Sequence, residues 1–149
     1  MRAVIQRVKK AEVSVEEKRV AKINSGILLF LAVAKDDSKE DADYLLEKII
    51  NLRIFEDNEG KLNLSALDLK KDLLIVSQFT LYGDCRKGRR PSFFSAAPPD
   101  IAIKLYQYFL DKAQQTELRV ENGKFQAMMD IDLINHGPVT LLLDSKKEF

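Results

Sequence analysis

The sequence is poor in the residues that build disulfides, metal centres and nucleophile–histidine pairs. It contains one cysteine, Cys85, and one histidine, His136, in 149 residues. A single cysteine excludes an internal disulfide, and one histidine without a cysteine cluster does not make a usual zinc site. A Ser-His-Asp hydrolase would have to use His136, yet the chain has no Gly-x-Ser-x-Gly nucleophile elbow. We therefore expect no metal, and we treat Cys85 as incidental because no clear base partner accompanies it.

The chain also lacks a charge excess and a long apolar run. Lys and Arg number 24 and Asp and Glu 23, so the formal net charge is +1. A nucleic-acid partner would therefore have to meet a local basic patch. The longest apolar run, GILLFLAVA, is far shorter than the ~20 residues that span a bilayer, and the N-terminus lacks a signal-peptide hydrophobic segment. With 46% hydrophobic and 32% charged residues, we expect a soluble cytoplasmic protein without membrane contact.

Hydrophobic periodicity predicts several strands. Residues 3–15 alternate well enough for one or two half-buried strands, and residues 27–34 and 72–81 are apolar enough to be buried ones. Two further strands are predicted over residues 125–133 and 139–143. In residues 125–133 the odd-numbered positions face inward, and the even-numbered ones, which include two aspartates, face solvent.

Two helices complete the predicted elements. Ser38–Asp41 has the spacing of a capping box, and apolar residues recur at helical period behind it, so a helix is expected over residues 39–52. A second helix is expected over residues 98–115. Two helices among many strands joined by tight turns predict a single α+β domain over residues 1–149, with a strongly bent or barrel-like, antiparallel-rich sheet.

Polar residues close the predicted strand at residues 72–81 with the sequence SQFT. In a strand, Gln78 and Thr80 share one face, so both side chains can look into one pocket. Polar groups at the end of a buried strand are costly unless they are hydrogen-bonded or used. The alternative is a strand that frays into its loop, with its hydroxyl groups bonded to backbone.

The next segment, GDCRKGRRP at residues 83–91, is named here the basic loop. It has the Gly-x4-Gly spacing of a phosphate-binding P-loop, but Arg89-Arg90-Pro91 stands where Lys-Ser/Thr and a helix start are required, so we reject a nucleotide triphosphatase. Its cations Arg86, Lys87, Arg89 and Arg90 suit a phosphodiester backbone. Four contacts to single-stranded phosphates would give a salt dependence of log affinity with a slope of about −3. The alternative is a solvated surface loop.

A third feature is NHGPVT, where Gly137-Pro138 interrupts a strand-like apolar pattern. Proline has no N–H, and glycine tolerates backbone angles that other residues do not. Such a pair can turn two carbonyl oxygens toward a ligand with no side chain between. The alternative is a bulge in an edge strand.

Together these residues resemble one family. SQFTL at residues 77–81, NHGPVT at residues 135–140, the N-terminal MRAVIQRV and RRPSF at residues 89–93 are similar to D-aminoacyl-tRNA deacylase over essentially the whole chain. The resemblance implies that family's fold and hydrolysis of the ester between a D-amino acid and the 3′-terminal adenosine of tRNA. It implies a homodimer without cofactor or metal, in which a cis Gly137–Pro138 enters the other subunit's site and rejects L-aminoacyl-tRNA.

The resemblance also implies roles for particular residues. The catalytic segment is Ser77, Gln78, Phe79 and Thr80, and the substrate-binding residues are Phe125, Met129, Gly137, Pro138 and Val139. For a tRNA substrate, the phosphate contacts expected from the charge of the basic loop fall to Arg86, Lys87, Arg89 and Arg90. Phe79, Phe125 and Met129 are nominated to stack on the terminal adenine, and Arg7 to brace the Gly-Pro segment. Main-chain carbonyls of Gly137 and Pro138 would form a wall near the substrate Cα. Glycine has no side chain to clash with that wall, so glycyl-tRNA mischarged on tRNA-Ala is an expected substrate.

Two mechanisms remain open. In one, Thr80 is the nucleophile, although a threonine hydroxyl needs a base and none is evident in the motif. In the other, which we favour, the ribose 2′-OH assists water and the protein positions the ester. The alternative functions are a non-catalytic RNA-binding module, a proofreader of glycine or L-alanine on the wrong tRNA, and a general esterase.

Overall fold

The computed structural model describes all 149 residues, as eight strands, two α-helices and one short 3-10 helix. The 3-10 helix spans Phe79–Tyr82. In chain order the other elements are β1 (Arg2–Val15), β2 (Lys18–Ile23), β3 (Gly26–Ala32), α1 (Lys39–Asn51), β4 (Phe55–Glu56), β5 (Leu62–Leu64), β6 (Asp72–Ser77), α2 (Pro99–Gln114), β7 (Val120–Asn122) and β8 (Asp130–Asp144).

Strand β1 is the centre of the main sheet because it pairs with three other strands. It runs antiparallel to β3 along its first half, to β2 along its second half and to β8 along most of its length. Strands β3, β6 and β7 then pair in parallel. The sheet is therefore mixed and antiparallel-rich, while β4 and β5 form a separate small hairpin.

Apolar side chains cover both faces of this sheet. A core of 24 buried residues fills the space between one face and the two α-helices. A second cluster of eight residues, from β1, β2, β3 and β6, lies on the other face, with Met129, Ile131 and Leu133 packed against it. Strands β3 and β6 are buried on both faces, which is why they read as continuous apolar runs. The result is the strongly bent, nearly closed, barrel-like sheet with two helices that was predicted.

The predicted helices are confirmed. At the start of α1, the Ser38 backbone N–H donates to Asp41 Oδ2 at 2.9 Å and the Ser38 hydroxyl donates to the same oxygen at 3.0 Å. The helix buries Ala42, Leu45 and Ile49 on one stripe. No helix of the structure has both the length and the apolar character that crossing a bilayer requires.

Three strand boundaries were predicted wrongly. Strand β6 ends at Ser77 instead of residue 81, because the next residues turn into the 3-10 helix. Residues 123–129 are irregular, and Gln126 has a φ of 59°, a left-handed conformation that a strand does not accept. The two strands predicted near the C-terminus are one strand, β8, because pairing with β1 continues across the Gly-Pro break. The inward and outward alternation predicted over residues 125–133 is nevertheless confirmed.

Candidate active site

A cleft of about 840 Å³ opens near the carboxyl ends of β3 and β6. Its walls come from the segment after β6, the loop before α2, the first turns of α2 and residues 125–129. Fourteen of its 19 lining residues are hydrophobic, so it suits an apolar or aromatic group. It brings together six residues singled out from the sequence, namely Ser77, Gln78, Phe79, Thr80, Phe125 and Met129.

The SQFT segment reaches the cleft as a tight turn. The Gln78 backbone N–H donates to the Leu31 carbonyl at 2.8 Å, which continues the parallel pairing one residue beyond β6. The Leu81 N–H then donates to the Gln78 carbonyl at 3.2 Å. The Gln78 side-chain amide donates to the Thr80 hydroxyl. The two side chains therefore meet as predicted, but the turn brings them together instead of a shared strand face.

Backbone donors are exposed at the start of this turn. The first amides of a 3-10 helix have no acceptor inside the helix. The N–H groups of Phe79 and Thr80 occupy these positions, and both residues are exposed and line the cleft. Two neighbouring N–H groups of this kind can stabilise a negative oxygen that forms in the cleft.

The cleft contains no side chain suited to be a general base. Its one titratable lining residue is Tyr106 on α2, whose hydroxyl donates to the Ile75 carbonyl at 3.1 Å. Burial raises the pKa of the Tyr106 phenol well above its usual range. Thr80 therefore has no basic partner in this chain. No group of three or more His, Cys, Asp or Glu side chains lies close enough together to bind a metal ion.

Aromatic rings form two walls of the cleft. The Phe125 ring lies 5.6 Å from the ring of Tyr106, centroid to centroid. The Phe79 ring lies 5.0 Å from that of Phe93, in an edge-to-face arrangement. Phe93 is a lining residue to which sequence reasoning assigned no role. The available signal was its position at the end of the RRPSF stretch, two residues after the basic loop.

The Gly137–Pro138 peptide bond is cis, and the segment around it is a large bulge in β8. Gln6 pairs with Thr140 and Val8 with Asn135, so the four residues 136–139 lie opposite Arg7 alone. Gly137 has a φ of 129°, in a region that favours glycine. The edge-strand bulge considered from the sequence is thus present, with Gly137 and Pro138 both exposed.

Arg7 holds this bulge, as the sequence led us to expect. It is only 3% exposed. Its Nε donates to the His136 carbonyl at 2.9 Å and its Nη1 donates to the Ile54 carbonyl at 2.7 Å. Nη2 lies 3.6 Å from Glu56 Oε1. The buried guanidinium therefore links the bulge to the segment that follows α1.

Asn135 supports the bulge from within β8, a role that sequence reasoning missed. Its Oδ1 accepts a hydrogen bond from the Val139 N–H at 3.0 Å, and its Nδ2 donates to the Val139 carbonyl at 3.1 Å. One amide thus spans the four-residue bulge. The available signal was an asparagine just before the Gly137-Pro138 break, because an asparagine amide can both donate to and accept from backbone groups.

The structure separates the bulge from the cleft. Gly137, Pro138 and Val139 are not among the residues that line the cleft of their own chain. The predicted site residues therefore fall into two groups within a single chain, one in the cleft and one on β8.

The basic loop is closed at its base by two backbone hydrogen bonds between Asp84 and Ser92, of 2.7 and 3.0 Å. Arg86 donates from Nε and Nη2 to the two carboxylate oxygens of Asp84, and this contact holds the pKa of the Asp84 carboxyl well below its usual range. The other three cations, Lys87, Arg89 and Arg90, are exposed and have no carboxylate partner. Three of the four cations predicted to contact phosphate are thus free to do so, because no carboxylate of the chain pairs with them.

Comparison with known proteins gives one consistent result. The family model described as D-Tyr-tRNA(Tyr) deacylase matches residues 4–144. Proteins named D-aminoacyl-tRNA deacylase from Thermosipho africanus and Halothermothrix orenii are 65% and 58% identical over 149 residues, covering all of both chains in each case.

Two solved structures share the fold. One, "c-Myc DNA Unwinding Element Binding Protein", is 38% identical with a TM-score of 0.91, over 97% of this chain and 98% of the other. The other, a "probable eukaryotic D-amino acid tRNA deacylase", is 20% identical with a TM-score of 0.83, over 96% and 98%. The family model and the full-length relatives show that the chain belongs to the D-aminoacyl-tRNA deacylase family.

Proposed function

We propose that this chain hydrolyses the ester bond of D-aminoacyl-tRNA and releases a free D-amino acid and tRNA. The observation that carries the proposal is an apolar cleft with two free backbone N–H donors and no carboxylate, histidine or lysine side chain. Such a site can hold an aminoacyl adenosine and stabilise the charge that ester hydrolysis creates. Membership of the family supports the same reaction.

The reaction needs a tetrahedral intermediate. Water adds to the ester carbonyl carbon, and the carbonyl oxygen becomes an oxyanion that accepts hydrogen bonds from the N–H groups of Phe79 and Thr80. The bond between the carbon and the ribose 3′ oxygen then breaks, and that oxygen takes up a proton. One donor of this kind is typically worth about 2.7–4 kcal/mol.

The proton of the attacking water leaves through the substrate. The cleft contains no carboxylate, histidine or lysine side chain to accept it. The neighbouring 2′-OH of the terminal ribose is the polar group left to assist, so the protein positions the ester and the RNA takes part in proton transfer. The Thr80 hydroxyl, which accepts a hydrogen bond from Gln78, serves to fix the turn.

Selection against L-amino acids depends on the Gly137–Pro138 bulge of a second subunit. In one chain the bulge lies outside the cleft, so a wall of its carbonyl oxygens requires a homodimer. Strand β8 supports this arrangement because it pairs only with β1 and so leaves an open edge, and its apolar residues Ile134, Leu141 and Leu142 are exposed. An open strand edge and exposed apolar side chains are features that a second subunit can cover. Carbonyl oxygens near the substrate Cα accept hydrogen bonds from the D-amino acid ammonium and clash with an L side chain.

Glycine escapes this selection because it has no side chain. Glycyl-tRNA, including glycine mischarged on tRNA-Ala, is therefore a substrate. The cleft holds the terminal adenine between Phe79, Phe125 and Met129, and the free cations of the basic loop bind tRNA phosphates. An enzyme with these substrates is a proofreading enzyme of the cytoplasm, a reducing compartment that suits the exposed free thiol of Cys85.

The direct test measures amino-acid release from D-tyrosyl-tRNA, L-tyrosyl-tRNA and glycyl-tRNA at equal concentrations. We expect release from the D-tyrosyl and glycyl esters and almost none from the L-tyrosyl ester. Binding without release would instead make the chain an RNA-binding module. Cleavage of small esters that lack tRNA would make it a general esterase.

Subunit complementation tests the shared site. In Gly137→Val a Cβ would lie 2.8 Å from the Arg7 guanidinium and 2.9 Å from the Val139 side chain, so the bulge must move. Ala127→Trp fills the cleft. Each variant alone should be inactive, whereas a refolded 1:1 mixture should regain about a quarter of wild-type activity, because half of the dimers are mixed and each has one intact site. A mixture that stays inactive would count against a site built from two subunits.

A further inference from the structure

The two ends of the basic loop are both fastened to the SQFT turn. At one end, the Gly83 N–H donates to the Thr80 carbonyl at 2.9 Å and closes the 3-10 helix. Two residues beyond the other end, the Phe93 ring packs edge-to-face against Phe79. The loop and the turn are therefore linked by a hydrogen bond and by one aromatic contact, which Phe93 provides.

Space around Gly83 shows how tightly the loop and the turn are packed. A Cβ added at Gly83 would lie 3.0 Å from the Thr80 carbonyl oxygen and 3.1 Å from the Phe93 ring. The Phe93 ring thus lies close to Gly83 and in contact with the Phe79 ring. A ring in this position limits the freedom of the turn that carries the Phe79 and Thr80 N–H groups.

We infer that Phe93 is a positioning residue for the deacylase reaction: it holds Phe79, and through Phe79 it holds the backbone N–H groups that meet the oxyanion. This inference rests on the proposed function. Since hydrogen bonds to a developing charge depend steeply on donor position, a loosened turn lowers kcat more than it raises KM. Phe93 also couples the basic loop to the turn, so phosphate binding at the loop and ordering of the amides are linked.

The test compares Phe93→Ala with Phe94→Ala. Phe94 is the neighbouring phenylalanine, 80% exposed, with the Lys35 ammonium 3.6 Å from its ring centroid and no place in the cleft. For Phe93→Ala we expect kcat on D-tyrosyl-tRNA to fall about three- to tenfold, the range that an edge-to-face aromatic pair corresponds to. KM should stay within about twofold, Phe93→Tyr should restore kcat, and Phe94→Ala should leave both constants unchanged.

Activity of the wild-type enzyme separates this inference from the proposed function. A wild-type protein that does not release D-tyrosine refutes the proposed function. An active wild-type protein with an unchanged kcat in Phe93→Ala, or with a change confined to KM, refutes the positioning role. If Phe93→Ala lowers the thermal unfolding midpoint so far that it does not fold, Phe93→Leu is judged by the same criteria, since leucine fills the space but lacks the aromatic edge.

Discussion

Replacement of Arg7 by lysine provides a quantitative test of how the β8 bulge is held. The guanidinium donates from two different nitrogens to the carbonyl oxygens of His136 and Ile54, and it is almost fully buried. A lysine ammonium is a single compact charge on a straight stem, so it does not reach both oxygens as the planar fork does. Arg7→Lys therefore loses one charge-assisted hydrogen bond and leaves one carbonyl oxygen without its donor.

The expected cost follows from that one bond. A hydrogen bond to a charged group contributes about 1.5–3 kcal/mol to the free energy of unfolding. For a domain of this length, 1 kcal/mol corresponds to a shift in Tm of roughly 2–4 °C. We expect Tm of Arg7→Lys to fall by roughly 3–12 °C in differential scanning calorimetry. The contact between Arg7 and Glu56 adds little to the free energy of unfolding, because the Glu56 carboxylate is half exposed.

The functional consequence concerns chirality. Arg7 binds the carbonyl of the residue directly before Gly137, so the variant loosens the proposed wall while it leaves the cleft unchanged. Release from L-tyrosyl-tRNA should therefore rise relative to release from D-tyrosyl-tRNA. We expect a rise of about tenfold, which corresponds to about 1.4 kcal/mol of lost discrimination. Both rates are measured as free tyrosine released from each ester.

Arg53→Lys is the matched control. Arg53 also donates to a backbone carbonyl, that of Asn63 at 2.8 Å, but it is exposed. We expect this control to change Tm by less than about 2 °C and to leave the L-to-D ratio of release unchanged. If Arg7→Lys were as stable as the control and kept the wild-type ratio, Arg7 would not hold the bulge in the way the structure indicates.

Three further predictions follow from the site and its surroundings. Thr80→Ala should keep turnover within about tenfold of wild type in the release assay; a loss of about a thousandfold or more would make Thr80 the nucleophile. Replacing the three unpaired cations of the basic loop with glutamine should reduce the slope of log affinity against log salt, measured by filter binding of tRNA, by about 3 × 0.7, or 2; no change would show that the loop does not contact phosphates. Burial alone would raise the pKa of Asp41, but hydrogen bonds from Ser145, the Ser38 N–H and Lys146 hold that pKa well below its usual value. The ionised carboxylate therefore stabilises the fold above about pH 4, and this stabilisation is lost as the pH falls below that value. Asp41→Asn should therefore unfold more easily than wild type by about 1–2 kcal/mol in urea at pH 7, with a smaller difference at pH 3; an equal difference at both values would contradict this assignment.

Most of the fold was predictable because its elements have strong periodic patterns. The capping box at Ser38 and the apolar stripe of α1 specify that helix locally. The apolar runs of β3 and β6 are typical of strands covered on both faces, and both strands are central in the sheet. In each case a local pattern and the tertiary environment favour the same structure.

The wrong boundaries lie where tertiary contacts prevail over a local pattern. Residues 125–129 alternate like a strand, yet they form a turn at the cleft, with the Ala127 N–H bonded to the Lys124 carbonyl at 3.2 Å. Alternation reports which side chains are buried, and a turn packed against a core gives the same alternation. Strand β8 continues through Gly137–Pro138 because β1 supplies partners on both sides of the bulge, which no local pattern in β8 reveals.

Residue type and short-range spacing were enough to predict the two helices, the buried central strands and the motifs that carry the site. The folded chain was needed to see that the SQFT turn faces a cleft without a carboxylate, histidine or lysine, and that Arg7, already nominated to brace the Gly-Pro segment, does so through the carbonyl of His136, 129 residues away. Both features depend on groups that the pairing of distant strands brings together. A hydrogen bond between such groups leaves no periodic trace in the chain.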